Sequence, residues 1–470
     1  MSNPAAAEST PMRTPSYAWP CLIVSLLCGI AIVFVWMWMP AITIPTFQSW
    51  VLENNSSISS MSQLGELFPH VMGVVPIGAL IAAFPITIVV RKWGPKTGTV
   101  VGMLVAVIGT LICTLSVSSS FIIFLVGRFV LGLGLSSTVV SGPTCVSIWF
   151  PHSTRGRGMA IWSCWAPLGI FTINAIGSQL YSLAGYNVVN LHWIVLIVLV
   201  IVMVLFFVVF RNPRGEEVSE VSATPKPYKE IIGLFKQRQI WCLVIMFAIF
   251  NYMNYSFSQY LKSWLTLSTR AGGLAWSPEM AGVVGGLIVA CGVLAPIGGF
   301  LLDKTPRHLK YICVVAGIAS LTICSAISFR NGAPVFAAYV LFFCIGNMML
   351  NGCCRPMIPT YVFKGGATAV ALGLSFLTLG QYFGQIFTSY TMHPFLETTL
   401  LGQTDPMLAF WALVPVGVVG VILSFMMKPS KKETEMLKAG GGKPNGAPSG
   451  ASGAGAAHGG APSSADSASA

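Results

Sequence analysis

The most constraining feature of this sequence is a series of apolar segments, each long enough to cross a lipid bilayer. A transmembrane helix needs about 20 apolar residues. Twelve segments meet that length, at roughly 18–44, 66–90, 97–117, 121–149, 157–183, 190–210, 240–266, 278–301, 310–329, 334–360, 367–391 and 406–427. The chain is 54% hydrophobic and only 9% charged, more apolar than a water-soluble domain could bury. We therefore predict an all-α membrane protein with twelve transmembrane helices.

The twelve segments fall into two groups of six, separated by the longest polar loop. Residues 18–210 and 240–427 hold six segments each, and the charged stretch 211–239 lies between them. We predict two six-helix bundles joined by a cytoplasmic linker loop. Residues 1–17 form a short cytoplasmic tail before the first helix. Residues 428–470 are rich in Gly, Ala, Ser and Pro, which predicts a disordered cytoplasmic tail.

Two stretches about 210 residues apart resemble each other, one over 126–150 and the other over 342–363. Each is an apolar, glycine-containing helix with a proline and an aromatic residue near its end. Each also places one arginine in the apolar run, Arg128 early in the first and Arg355 late in the second. A duplicated membrane half with isolated cations is typical of a transporter, because a charge in lipid needs a partner or a function. The two bundles are therefore predicted to be pseudo-symmetric.

The distribution of lysine and arginine predicts the orientation in the membrane. With the N-terminus inside, nearly all basic residues fall in inner loops and tails. The outer loops receive only three, which are Lys262, Arg270 and Arg330. We expect a multi-pass protein of a cell membrane, the bacterial inner membrane, with both termini in the cytoplasm.

Three short motifs support a family resemblance. They are Asp303, Lys304 and Arg307 after the eighth segment, Arg91, Lys92 and Gly94 after the second, and Arg128, Gly132 and Gly134 in the fourth. In this order, on a pattern of six plus six segments, they resemble the major facilitator superfamily (MFS) over about residues 18–427. The second motif departs from the family pattern, because Arg91 stands where an acidic residue is expected. The resemblance implies two six-helix bundles that rock about a central cavity and expose it alternately to each side.

The motifs after the second and eighth segments are candidates for gating. Asp303, Lys304 and Arg307, together with Arg91, Lys92 and Gly94, lie at predicted helix ends on the inner face. A carboxylate there can accept from a helix N-terminus and pair with a cation across the bundle. Such contacts would latch the outward-open state. The alternative is that these cations only determine the orientation of the chain.

Candidate substrate-binding residues are polar or aromatic side chains inside the apolar segments. They are Trp36 and Trp38, Arg128, Asn251, Asn254 and Tyr255, Asn351 and Arg355, and Gln381. At 3.6 residues per turn, Asn251, Asn254 and Tyr255 share one helix face. Amides hidden from lipid must form hydrogen bonds, and in a central cavity the partner is water or substrate. The alternative is that the rings pack the bundle and the arginines anchor helices.

The sign of the buried charge narrows the class of substrate. The apolar segments contain Arg128 and Arg355 but no deeply placed carboxylate. Two cations without counter-ions suit a small organic anion, such as a carboxylate or a sulfonate. A proton-coupled exporter of multiple drugs or other amphipathic compounds remains the alternative, because the segments are also aromatic and rich in methionine.

Coupling to an ion has few candidate residues. Glu66 and His70 lie one helical turn apart at the outer end of the second segment, and they are the candidates for proton coupling. A sodium ion or a counter-anion could replace the proton, and both residues could simply be solvated.

Other functional classes lack support in the sequence. No catalytic motif is visible, so we do not expect an enzyme. The twelve cysteines have no metal-site spacing, and we expect them to act as small hydrophobic residues. We predict no cofactor, no metal and no nucleic-acid partner. The expected partners are a small-molecule substrate and the lipid bilayer, and the expected state is a monomer.

Overall fold

The structure is a computed structural model. It describes residues 14–150, 154–213, 237–269, 273–327, 333–361, 366–397, 399–400, 403–404, 410–431 and 433–435. The helices are α1 (Ala18–Ile42), α2 (Ile44–Asn54), α3 (Met61–Ser116), α4 (Phe121–Trp149), α5 (Arg155–Trp162), α6 (Trp165–Leu183), α7 (Val188–Val209), α8 (Arg238–Thr266), α9 (Pro278–Ala290), α10 (Ala295–Lys304), α11 (Tyr311–Ala326), α12 (Ala333–Tyr361), α13 (Gly366–Glu397) and α14 (Leu413–Met426). Short 3-10 turns lie at Cys291–Leu294 and Arg307–Leu309. A two-residue hairpin pairs β1 (Thr399–Leu400) with β2 (Gln403–Thr404) in antiparallel register.

Each of the twelve predicted segments contains helix. Nine helical segments within the described residues are long and apolar enough to cross a bilayer. The predicted segments 157–183, 367–391 and 406–427 are helical too, but the first is divided between α5 and α6, and the last is the 14-residue α14. The count of twelve crossings therefore stays a prediction. The duplication is visible in α4 and α12, which are both 29 residues long and carry Arg128 and Arg355.

The second and third predicted segments are not separated by a loop. α3 continues from one to the other, and the chain leaves helical geometry only at Gly94, with φ 84° and ψ 167°. This backbone region is readily adopted only by glycine. Pro95 follows it and is suited to the first turn of the next helix. A single residue therefore makes the turn between the two helices.

Helices pack within an N-terminal part (α1–α7) and a C-terminal part (α8–α14), and the two parts also contact each other. Within the N-terminal part α1 packs against α6 and α7, and α3 packs against α4; within the C-terminal part α8 packs against α13 and α14, and α12 against α10 and α11. The two parts meet where α6 contacts α9, α3 contacts α13 and α1 contacts α8. The α3–α4 contact needs Gly132, because a Cβ there would overlap the Val75 carbonyl. The described residues of Met1–Lys428 form one compact unit, so the predicted boundaries of two bundles and a linker stay predictions.

The unit Pro429–Ala470 is described only at its start. There the Ser430 amide donates to Glu433 Oε2 (2.8 Å), and the Glu433 amide donates to Ser430 Oγ (3.4 Å). This reciprocal pair is the capping box that begins a helix. The remainder of the predicted disordered tail lies outside the described residues.

The cysteines follow the sequence prediction with one exception. The ten cysteines outside a disulfide-bonded pair are all buried, as small hydrophobic residues are expected to be. Cys291 and Cys344 instead form a disulfide, with their Cα atoms 5.2 Å apart. The bond joins the turn between α9 and α10 to α12.

Candidate functional site

A cavity of about 80 Å³ lies between the helices of the N-terminal and C-terminal parts. Its walls come from α1, α4 and α6 on one side and from α8, α9, α12 and α13 on the other. Seven of the nine predicted substrate-binding residues line it, namely Trp36, Asn251, Asn254, Tyr255, Asn351, Arg355 and Gln381. Ser258, Asn347, Tyr382 and Gln385 line the cavity as well.

Arg355 is the charged residue of this cavity. Its Nη2 donates to Gln381 Oε1 at 3.1 Å, which joins α12 to α13. Its guanidinium carbon lies 5.6 Å from the centre of the Phe247 ring on α8, a cation–π distance. None of the described residues that line the cavity is Asp or Glu. The cavity therefore carries a positive charge held by neutral partners.

Amide side chains surround this charge. One turn before Arg355, Asn351 Nδ2 donates to Asn347 Oδ1 at 3.2 Å. On α8, Asn251 Nδ2 donates to the Phe247 carbonyl at 2.8 Å. Two amide oxygens, Asn254 Oδ1 and Gln385 Oε1, are buried without a hydrogen-bond partner in the described part of the chain. Unpaired buried polar atoms are costly, so water or a bound solute has to satisfy them.

Aromatic rings form a further part of the cavity lining. The Trp36 ring from α1 and the Tyr255 ring from α8 lie 5.2 Å apart between centroids, with an interplanar angle of 31°. Trp165 and Phe247 line the cavity too. The arrangement offers flat apolar surfaces beside a guanidinium, which suits a solute with an anionic head and a planar body.

Arg128 lies outside the cavity, although the sequence analysis counted it among the substrate-binding candidates. It is 1% exposed. Its Nε donates to the Val71 carbonyl at 3.0 Å, and Nη1 and Nη2 both donate to the Trp36 carbonyl at 3.2 Å. The Trp36 carbonyl is open to this contact because the residue four positions later, Pro40, has no N–H to complete the helix. Arg128 thus ties α4 to a proline-interrupted turn of α1 behind the cavity wall.

Trp38 also lies away from the cavity. It is fully buried and packs edge-on against Phe47 at 5.5 Å and His192 at 4.6 Å between ring centroids. Trp36 and Trp38 are two residues apart, which turns them to different faces of α1. Only Trp36 faces the cavity.

Lys262 was assigned to an outer loop from its position near a segment end, and the structure corrects this. It lies within α8 and is 2% exposed. Its Nζ donates to the Ala41 carbonyl and, at 3.0 Å, to Ser178 Oγ. The predicted segment 240–266 already contained Lys262, but the residue was counted with the outer loop because it lies within about one turn of the end of the helix. The available signal was its spacing, four residues after Ser258 on the polar face of α8.

The candidate gating residues lie at helix ends. Asp303 and Lys304 are exposed in the last turn of α10, and Lys304 Nζ lies 4.5 Å from the Phe300 ring centre. In the described part of the chain Asp303 makes no ion pair, and Arg307 is half-buried in a 3-10 turn. At the other motif Lys92 lies 4.9 Å from the Trp93 ring centre, Gly94 forms the break in α3, and the side chain of Arg91 is outside the described residues. The latch stays a prediction.

The candidate coupling residues differ in their surroundings. Glu66 is exposed, whereas His70 is half-buried and its Nδ1 lies 3.0 Å from Tyr390 Oη on α13. This contact joins α3 to α13. Among the described residues no cluster of His, Cys, Asp or Glu could hold a metal ion.

Comparison with known proteins agrees with this architecture. The model of the Major Facilitator Superfamily matches residues 21–389. The nitrite extrusion protein of Bacillus subtilis (strain 168) is 23% identical over 315 residues, which are 67% of this chain and 73% of that protein. The 4-hydroxybenzoate transporter PcaK of Acinetobacter baylyi (strain ATCC 33305 / BD413 / ADP1) is 24% identical over 397 residues, 77% of this chain and 82% of that protein.

Solved structures show the same fold. A D-xylose–proton symporter superposes with a TM-score of 0.66 at 14% identity, covering 89% of this chain and 99% of that one. An inward-facing, unoccupied bacterial homologue of the human lysosomal transporter Spinster superposes with a TM-score of 0.60 at 16% identity, covering 91% and 98%. The predicted fold class is thereby confirmed. The chain is a multi-pass membrane protein that belongs to the Major Facilitator Superfamily of transporters.

Proposed function

We propose that this MFS protein is a secondary transporter of a small organic anion, such as a carboxylate or sulfonate. The observation that carries the proposal is Arg355, a guanidinium that lines the central cavity among amides, with no acidic residue among the described part of the lining. The two predicted six-helix bundles would rock about this cavity and expose it to each side in turn.

Electrostatics favours an anion over a cation at this site. A charge interacts far more strongly in a low-dielectric interior than in water. With no carboxylate among the described lining residues, a cationic solute would be repelled by Arg355 and would find no counter-ion among them. A carboxylate or sulfonate would accept two parallel hydrogen bonds from the guanidinium.

The remaining lining supports a planar solute with a second polar group. The rings of Trp36 and Tyr255 offer flat surfaces, and the unpaired amides of Asn254 and Gln385 offer hydrogen bonds. Relatives of this chain are named for nitrite extrusion and for 4-hydroxybenzoate transport, and both solutes are anions. At 23% and 24% sequence identity, these relatives support an anion as the class of solute, but they do not specify which anion.

Orientation, gating and coupling complete the proposal. Both termini and the linker 211–239 would lie in the cytoplasm of a cell with the protein in its inner membrane. Asp303, Lys304 and Arg307 would act at the inner face. His70, through Tyr390, is the better placed of the two coupling candidates, because Glu66 is exposed. The co-transported species would be a proton, a sodium ion or a counter-anion, and the working unit a monomer.

The proposal is tested by thermal unfolding of the purified protein with benzoate, benzenesulfonate, nitrite or tetraphenylphosphonium. A ligand at 100 times its Kd stabilises the folded state by about 2.7 kcal/mol and raises the melting temperature. We expect an anion to stabilise the parent protein and a Lys92→Gln control, but not Arg355→Gln. The same anion should accumulate in proteoliposomes.

The opposite result selects the alternative function. If tetraphenylphosphonium alone stabilises the parent, and Arg355→Gln responds equally, the anion proposal is wrong. The protein would then be an exporter of amphipathic compounds, for which the aromatic wall is the relevant surface.

A further inference from the structure

Lys262 is another buried cation, in addition to Arg128 and Arg355, and it lies near the cavity but outside its lining. It lies on α8 one turn beyond Ser258, which lines the cavity, and residues four apart share a helix face. It is 2% exposed. The ammonium therefore lies between the cavity and the end of the bundle where α1 gives way to α2, the outer end by the predicted orientation.

Both hydrogen-bond partners of Lys262 are neutral, and both come from the N-terminal part of the chain. One is the Ala41 carbonyl on α1 and the other is Ser178 Oγ on α6. α1 ends at Ile42, so its last carbonyls have no helical donor, and Pro45 has no N–H to supply one. Lys262 supplies the missing donor.

The neighbouring residue of α8 completes this contact. Ser263 Oγ accepts from the Ile44 amide at 3.2 Å, on the far side of the break between α1 and α2. That break is at Thr43, whose φ is 80°. Two consecutive residues of α8 thus hold the open backbone groups of α1 and α2, and they close the two parts of the chain against each other at this end.

Among the described residues no acidic side chain forms an ion pair with the ammonium. The exposed Glu279, at the start of α9, interacts with it electrostatically, but only from beyond ion-pair distance. At Gly282 on α9 an added Cβ would lie 3.0 Å from Nζ, so the ammonium packs closely against α9 at this glycine. A desolvated cation with only neutral partners is costly to bury. Separation of α8 from α1 and α6 would remove both partners at once.

We propose that Lys262 is a second anion site on the transport path, one that takes a carboxylate when this end of the bundle opens. In the closed arrangement the ammonium donates a hydrogen bond to the Ala41 carbonyl. In the open arrangement the carboxylate of the solute replaces it, before the solute passes one turn further to the cavity. The inference rests on the proposed function, because it requires an anionic solute.

The test uses benzoate, a carboxylate on a planar apolar body, and measures its initial uptake into cells that produce the full chain. Lys262→Met should raise the half-saturating benzoate concentration at least tenfold, and Lys262→Arg should keep it within about threefold of the parent. Ser263→Ala is the matched control. It weakens the same seam, the contact of Lys262 and Ser263 on α8 with α1, α2 and α6, without removing the charge. It should leave the half-saturating benzoate concentration within about twofold of the parent value.

A second readout follows the opening of the seam itself. Ser258→Cys places a thiol in the cavity wall one turn before Lys262, and a membrane-impermeant maleimide added outside labels it only when that end opens. Both Lys262→Met and Ser263→Ala should speed the labelling. This readout does not require benzoate uptake, so it still reports if Lys262→Met is poorly active, and the circular dichroism of each variant reports its folding.

The outcomes separate the two proposals. If Arg355→Gln loses benzoate uptake but Lys262→Met keeps the half-saturating concentration of the parent, the second anion site is wrong and the cavity site stands. If Lys262→Met is labelled faster but keeps the half-saturating benzoate concentration of the parent, Lys262 only holds this end of the bundle closed. That result also overturns the second anion site. If neither the parent nor any variant takes up or binds benzoate or the other anions, both proposals fail.

Discussion

Arg128 and Arg355 lie in helices of equal length that repeat each other in the two parts of the chain, yet their surroundings differ. Arg128 donates hydrogen bonds from its guanidinium to the backbone carbonyls of Val71 and Trp36. Arg355 donates a hydrogen bond to the side chain of Gln381 and lines a cavity. The first is surrounded by protein atoms, whereas the second has space for a solute beside it.

The role of a buried cation therefore follows from the groups that contact it. The occurrence of a cation in an apolar segment does not indicate that role. A guanidinium bound to carbonyls holds helices together, and losing it leaves buried acceptors unpaired. A guanidinium beside a cavity can exchange its partners for water or an anion. One proline accounts for much of the contrast, because Pro40 opens the Trp36 carbonyl that Arg128 takes.

The largest expected effect comes from removing Arg128. Arg128→Met should lower the free energy of unfolding by roughly 2–6 kcal/mol, because two buried carbonyls each lose a charged donor. Arg355→Met should cost less than about 1 kcal/mol, since water in the cavity can replace its contact. Denaturant unfolding of both variants in the same detergent measures the difference. Equal losses in the two variants would remove the distinction drawn between the two arginines.

A smaller effect separates the two tryptophans of α1. Trp38→Phe should lower the free energy of unfolding by roughly 1–3 kcal/mol, because it empties space in a packed aromatic cluster. Trp36→Phe should leave stability nearly unchanged and weaken anion binding about tenfold, or about 1.4 kcal/mol. Unfolding and ligand-induced melting shifts are measured on both. A Trp36 variant with full anion affinity would mean that this ring is only a wall of the bundle.

The smallest effect tests the role of Pro40. In Pro40→Ala, residue 40 regains an N–H that can bond the Trp36 carbonyl. The Arg128→Met substitution should then cost about 1 kcal/mol less than in the parent background. A double-mutant cycle on the free energy of unfolding gives this coupling directly. Strict additivity of the two substitutions would show that the proline does not create the site that Arg128 fills.

Hydrophobic length and helical periodicity predicted much of the architecture. The predicted segment 121–149 coincides with α4, and 240–266 differs from α8 by two residues at its start. The shared face of Asn251, Asn254 and Tyr255 follows from the period of one helix, and all three line the cavity. Such features are local, so neighbouring residues along the chain are enough to predict them.

Contacts between distant helices were beyond the sequence. Lys262 near a segment end counted as a loop residue, because the positive-inside rule uses position along the chain and takes no account of what covers a side chain. Its partner Ala41 is 221 residues away. The turn at Gly94 was likewise expected as a loop, and the structure reduces it to one residue.

Length, hydropathy and helical period are properties of a single segment, so they were enough to predict that the chain spans a membrane and where its helices lie. Which buried cation meets a carbonyl and which meets a cavity became visible only in the packed helices. That choice depends on the carbonyls that prolines and helix ends leave open, and on which distant helix brings a donor to them. Arg128, Lys262 and Arg355 are all cations in apolar segments, and their neighbours from other helices distinguish them.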